Sequence, residues 1–203
     1  MAYKILIAGG WRDSQSTGTF QAEDPRAVAV LPGEFPVSSW EDCSHALDAA
    51  VEAFELLREM PRSRIVAYLE RLADRIVDRS AELCEIASRE TALPVEPRLA
   101  SGELPRTAGQ LRQAATAAGS EAWCLPTIDT VANIRSCYGP IGPVAVFGPN
   151  NFPFAFGSIS GGDFAAAIAA GNPVIAKANS IHPGTTRLMA EEAQAAAEDT
   201  GMP

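Results

Sequence analysis

Two short apolar runs near the end of the chain, VAVF at 144–147 and VIAKA at 174–178, flank a small-residue segment of helical spacing at about 154–170. Each run is too short for a helix and is bounded by Pro, Gly or Asn, so each reads as a strand. Apolar residues in succession, without polar alternation, point to strands covered on both faces. Pro183, with Thr185 and Thr186, then opens a further helix through Leu188, Met189, Ala193 and Ala196. Strand, helix, strand, helix is a βαβα unit, whose strands pair in parallel through a right-handed crossover. A two-stranded parallel sheet leaves apolar edges and faces open and is not expected to be stable alone. The expected fold class is therefore α/β: N-terminal helices followed by the first βαβα unit of an open doubly wound sheet, incomplete, with residues 144–203 as its start.

Upstream the spacing is helical. Ser39 stands three residues before Asp42, a weaker form of the capping box. Cys43, Leu47, Ala50, Phe54 and Leu57 then fall on one helix face, and Ile65, Leu69, Leu72 and Ile76 on another after the break at Pro61. Arg62, Arg64, Arg71, Asp74 and Arg75 lie mostly off that stripe and are expected on solvated faces. Ser80 is placed to cap a third helix through Leu83, Ile86 and Ala87, and a fourth runs from about Glu96 to Ala118. Residues 39–119 thus form a helical part. Before it, YKILIAGGW carries Gly9-Gly10, but no G-x-G-x-x-G leads into a helix. The polar run that follows favours a hairpin, so 1–38 reads as a hairpin and connection. In 120–143 the β-branched TIDTVANIRSCYGPIG suggests extended segments in a projecting hairpin.

Composition narrows the function. A net charge of -9 repels phosphate backbones, which argues against a nucleic-acid partner. No apolar run is long enough to span a membrane, and the first residues lack the basic and apolar regions of a secretory leader. Cys43, Cys84, Cys124 and Cys137 make no C-x-x-C pair and read as free thiols of a cytoplasmic protein. His45 and His182 form no metal-ligand spacing, so no metal site is expected.

The segment Pro149-Asn150-Asn151-Phe152-Pro153 sets two amides and a ring between two prolines. From the residues alone, Asn150 and Asn151 read first as residues that cap or turn the chain, ahead of a role as hydrogen-bond donors to a ligand. However, GPIGPVAVFGPNNFPFAF (139–156) followed by AAAIAAGNPVIAKANSIHPGTT (165–186) resembles the N-terminal part of the aldehyde dehydrogenase superfamily. RETALP and GELPRTAGQLR upstream are collinear with it, so the resemblance covers essentially the whole chain. Within the superfamily the motifs are similar to the branch that oxidises 2-oxoglutarate semialdehyde (2,5-dioxopentanoate), near the NADP-using fatty-aldehyde enzymes.

That resemblance implies oxidation of an aldehyde to a carboxylic acid through a cysteine thiohemiacetal, with NADP or NAD as cofactor. Asn151 matches the side-chain amide that stabilises the tetrahedral oxyanion, and the flanking prolines would hold its turn. Phe147, Pro149, Asn150, Lys177 and Ser180 match the cofactor side. Many members carry an aromatic residue where this chain has Asn150, which implies altered packing near the cofactor. Many also carry a glutamate where this chain has Ser180; a hydroxyl does not repel a 2′-phosphate as a carboxylate does. His182, in the same loop, is expected at the surface. Arg106, Gln110 and Phe152 match the substrate side, with Arg106 a natural partner for a substrate carboxylate. The segment 120–143 matches an oligomerisation arm and implies a homo-oligomer. The family's nucleophilic cysteine, general-base glutamate and pyrophosphate loop lie in a later part, so the catalytic domain is read as absent and residues 1–203 alone as inactive. Two alternatives remain: a non-catalytic module that pairs with full-length subunits, and a fatty-aldehyde dehydrogenase.

Overall fold

The computed structural model describes residues 2–203. The chain enters through three antiparallel ribbons: β1 (Ile5–Ile7) with β2 (Gly10–Arg12), β3 (Gly18–Phe20) with β6 (Phe35–Val37), and β4 (Glu23–Asp24) with β5 (Ala29–Val30). The β1–β2 turn falls on Ala8 and Gly9 at φ 52° and 70°, the left-handed pair that a tight two-residue hairpin needs. The Gly-Gly pair thus serves a hairpin.

Helix α1 (Trp40–Glu59) starts where the cap residue predicts, with Ser39 Oγ accepting from the Asp42 N–H at 3.2 Å. Only part of its stripe is inside. Ala50 and Leu57 are buried and Phe54 is half-buried, whereas Cys43 and Leu47 are exposed. α1 leans on β1 and, later in the chain, on the second strand of the parallel pair. α2 (Arg62–Asp78) keeps its whole stripe: Ile65, Leu69, Leu72 and Ile76 are each at most 1% exposed. Ser80 does not cap α3 (Ser80–Thr91). The chain turns out of α2 through Arg79 alone, which leaves Ser80 already helical and the cap position without a side-chain bond.

The expected fourth helix divides in two. A wide-turned π segment, Val95–Glu103, precedes α4 (Leu104–Ser120). Glu96 is extended at φ -109°, ψ 140°, because Pro97 crowds the helical region of the residue before it. α4 lies along α2 and buries Ala108, Leu111, Ala115 and Ala118.

β7 (Thr127–Asp129) and β8 (Ile134–Ser136) form an exposed hairpin, and β9 (Val144–Phe147), α5 (Gly162–Ala169), β10 (Val174–Lys177) and α6 (Pro183–Thr200) form the βαβα unit. β9 and β10 pair in parallel, with Val144 beside Val174 and Phe147 beside Lys177. They are not covered on both faces. Val146 is buried, but Ala145 and Phe147 are exposed. α5 packs on both strands and α1 on β10, and the strands' remaining surface is open. α5 is also shorter than its composition suggests. Gly148 and Gly157 lie in backbone-to-backbone contact, where any Cβ would overlap, so residues 153–161 fold as tight turns before the helix begins.

The charged residues of α2 do more than face solvent. α6 lies across α2 and meets a ladder of guanidiniums spaced one turn apart. Arg71 reaches Asp199 at 2.7 Å, Arg75 reaches Glu192 at 2.8 Å, and Arg79 reaches Glu191 at 2.7 Å and Glu192 at 2.8 Å. Arg79 is held more firmly protonated than a free arginine, chiefly by its bond to Glu82, against some loss of hydration.

Candidate active site

The parallel register sets Phe147 and Lys177 side by side at the carboxyl ends of their strands. The loops that leave those ends, 148–153 and 178–182, are tied together. Asn179 Nδ2 donates to the Gly148 carbonyl at 2.9 Å, and His182 Nε2 lies 3.1 Å from the Pro149 carbonyl. A carbonyl only accepts, so Nε2 carries the proton in this contact. His182 is 1% exposed, which corrects its expected surface position. Its ring is needed inside to anchor the Pro149 loop.

The far end of the same loop is tied to the π segment. The Glu103 side chain has no exposed surface. Its Oε1 accepts from the Phe154 N–H at 2.7 Å and the Ala155 N–H at 2.9 Å, and its Oε2 accepts from Arg98 Nη1 at 2.5 Å. Arg98 Nη2 donates to the Asn151 carbonyl at 2.9 Å, and its guanidinium stacks 4.2 Å from the Phe152 ring centroid. The segment 148–155 therefore rests on four side chains from other elements, two of them bonded within the 149–153 turn, as well as on its own prolines. Asn150 and Asn151 are exposed, and the Asn151 amide makes no hydrogen bond to any described residue. Its donors are free for a ligand.

A cleft of about 460 Å³ opens beside this turn, lined by Pro97, Arg98, Glu103, Arg106 and Phe152 among others. Arg106 is exposed and sits 4.9 Å from the Phe156 ring, which meets Phe152 edge-on at 5.1 Å. Arg106 and Phe152 are thus brought together. Gln110 is not among the residues lining the cleft. It lies against Gly162 at the start of α5, and its Oε1 is buried without a partner among the described residues. Of the residues expected on the cofactor side, Phe147, Pro149, Asn150, Lys177 and Ser180 are all exposed, at the carboxyl end of the parallel pair and in the loops that leave it. Lys177 makes no ion pair among the described residues and stands beside the exposed Phe147, so its ammonium is open to a ligand at the strand ends.

Glu90, at the end of α3, is a second buried carboxylate. Its oxygens accept from Gly184 N–H (2.7 Å), Thr185 N–H (2.8 Å) and Thr185 Oγ1 (2.7 Å), filling the N-terminus of α6. Burial pushes its carboxyl above the usual range, against the pull of these donors. Cys84 is buried, and loss of hydration raises its thiol to about 11, with the charges of Glu96 and Glu103 adding to the effect. Cys43 and Cys137 are exposed and Cys124 is half-buried; all four are free thiols. Among the described residues no group of three or more potential ligands could hold a metal ion.

A parallel strand pair with bridged polar loops at its carboxyl ends is an α/β arrangement of the kind whose strand ends receive ligands. The chain belongs to the aldehyde dehydrogenase family, whose model matches residues 11–203. It is 38% identical over 208 residues to alpha-ketoglutaric semialdehyde dehydrogenase 2 of Azospirillum brasilense, an alignment covering 98% of this chain and 39% of that protein. It is 35% identical over 178 residues to the alpha-ketoglutaric semialdehyde dehydrogenase of Acinetobacter baylyi, covering 83% and 33% respectively. Among solved structures it superposes with a TM-score of 0.86 and 27% identity on a Burkholderia cenocepacia protein assigned to the aldehyde dehydrogenases, over 100% of this chain and 40% of that one. It shares the fold of a variant of aldehyde dehydrogenase C from Pseudomonas syringae, solved with NAD+ and octanal, at a TM-score of 0.85 and 23% identity, over 96% of this chain and 38% of that one. The chain spans between 33% and 40% of the length of these proteins.

Proposed function

We propose that this protein oxidises an aldehyde to a carboxylic acid with NADP or NAD, and that its substrate is 2-oxoglutarate semialdehyde, yielding 2-oxoglutarate. The observation that carries the reading is the Asn151 amide, exposed and without an internal partner, on a turn held from both sides next to a cleft lined by Arg106. A cysteine thiolate adds to the aldehyde carbon, and the carbonyl oxygen becomes a tetrahedral oxyanion. The Asn151 N–H donates to that oxygen. Its loop is already ordered, so little reorganisation is needed as charge develops. Arg106 pairs with the carboxylate at the substrate's other end, and Phe152 gives the cleft an apolar side. After two electrons and a proton leave as hydride, water hydrolyses the resulting thioester, supplying the second oxygen of the acid and freeing the thiolate. Lys177 and Ser180 hold the ribose of the nucleotide, which when bound supplies the two-electron acceptor. None of the four cysteines is the nucleophile in this reading. Cys84 is buried and its thiol stays protonated at neutral pH, and none of the four lines the cleft. In this reading the nucleophilic sulfur is supplied by a residue other than these four.

The semialdehyde assignment rests on the two relatives at 38% and 35% identity and on Arg106. The protein is further read as a cytoplasmic homo-oligomer. Residues 120–143 form its arm, because the β7–β8 hairpin leaves Ile128, Val131 and Ile134 at 66%, 97% and 59% exposure with free strand edges. Residues 1–38, 39–119 and 144–203 are the entry ribbons, the helical part and the start of the cofactor sheet. The test is reduction of NADP and NAD by the full-length protein with 2-oxoglutarate semialdehyde, an uncharged aldehyde of equal length and a long-chain aldehyde. The expected result is highest kcat/KM on the semialdehyde. Preference for the long-chain aldehyde would move the protein to the fatty-aldehyde enzymes, and no turnover on any would leave a non-catalytic module.

A further inference from the structure

Arg98 and Glu103 are five residues apart, at the spacing that the wide π turn of Val95–Glu103 brings onto one face. An ordinary α-helix would not align them. Both oxygens of the Glu103 carboxylate are engaged: one holds the Phe154 and Ala155 N–H groups and the other holds Arg98. Arg98 then has one fixed position, with Nη1 on Glu103, Nη2 on the Asn151 carbonyl and its flat face on the Phe152 ring. The guanidinium fork thus makes the hydrogen bond from the π segment to the backbone of Asn151 itself.

We propose that Arg98 is a positioning residue that sets the location of the Asn151 amide by gripping its carbonyl, with Glu103 as its fixed base; this rests on the oxyanion reading above. Lysine at this position would keep a charge beside Glu103. A single ammonium cannot span two acceptors in the guanidinium's planar fork while stacking on Phe152. The expected consequence is a misplaced amide and a chemical step slowed by about 10- to 100-fold, as displacements near 1 Å cause.

The test is a kinetic cycle in the full-length enzyme with wild type, Arg98→Lys, Asn151→Ala and the double variant. Arg98→Lys should lower kcat while KM for the aldehyde stays near wild type, the pattern of an interaction made in the transition state. On the Asn151→Ala background the same change should slow the enzyme by less than about twofold, because a positioning residue has nothing left to position. Thermal melting of each variant separates this from loss of fold, and Arg98→Gln replaces the lysine variant if the latter does not fold. A near-wild-type kcat in Arg98→Lys, or losses that multiply in the double variant, would overturn the proposal. Full turnover in Asn151→Ala alone would instead sink the oxyanion reading, and with it the role of Arg98.

Discussion

Removing the Glu90 side chain tests the joint between α3 and α6. Its carboxylate is 2% exposed and accepts three hydrogen bonds at 2.7–2.8 Å. Glu90→Ala strands two buried N–H groups and the Thr185 hydroxyl, and Thr185 has no exposed surface from which to reach water. Each buried polar group left unmet costs about 1–3 kcal/mol. Relief from holding a carboxylate in a dry site offsets part of that sum, so the expected net loss is about 3 kcal/mol. For a protein of this size that lowers Tm by about 6–12 °C. Urea unfolding followed by far-UV circular dichroism measures it. Glu90→Gln keeps one acceptor and should lose less. The pH dependence has a definite sign. Burial raises the Glu90 carboxyl in the folded state, so the folded state holds its proton to higher pH than the unfolded chain does. Its contribution to stability is complete below the ordinary glutamate value of about 4.3 and is lost as pH rises through the folded value. The stability advantage of wild type over Glu90→Gln should therefore narrow with rising pH. A Glu90→Ala loss below about 1 kcal/mol would refute the reasoning, since it would mean that the α6 donors find other partners.

Three further outcomes are expected. At neutral pH a thiol reagent should modify Cys43 and Cys137 early and Cys84 last, because its buried thiol is raised to about 11; rapid labelling of Cys84 in peptide mapping contradicts this. Wild type should accept NADP at least as well as NAD, and Ser180→Glu should shift the kcat/KM ratio toward NAD by about tenfold or more through like-charge repulsion; a wild type that rejects NADP would undo the assignment of Ser180. Arg106→Leu should lower kcat/KM for the semialdehyde by about 10- to 100-fold and leave an uncharged aldehyde of equal length little changed; equal effects on both would make Arg106 a surface residue.

Local spacing carried much of the fold. The α2 stripe, the Ser39 cap, the Gly9-Gly10 hairpin and the two parallel strands follow from residues within a few positions of one another. What spacing could not give were the contacts between distant segments. Glu103 meets Phe154 and Ala155, Glu90 meets Gly184 and Thr185, and His182 meets Pro149, each from a different element. A carboxylate read in isolation looks solvated. A signal was nonetheless present: Glu103 shares a helical face with Thr107 and Leu111, and Glu90 with Leu83 and Ala87, so both acids stand on buried stripes. The arginines of α2 gave no such signal, because their partners on α6 are known only once the helices pack. The shortened α5 had a different cause. Its small residues suit a helix, but the close backbone approach at Gly157 does not.

The most direct test of the proposed chemistry is single-turnover oxidation of bound aldehyde by the full-length enzyme carrying Asn151→Ala. Loss of one oxyanion donor should slow the chemical step by about 100- to 1,000-fold while the fold, measured by thermal melting, is kept. A chemical step within a few-fold of wild type would contradict the reading, leaving Asn151 as a turn residue and the held loop without its catalytic purpose.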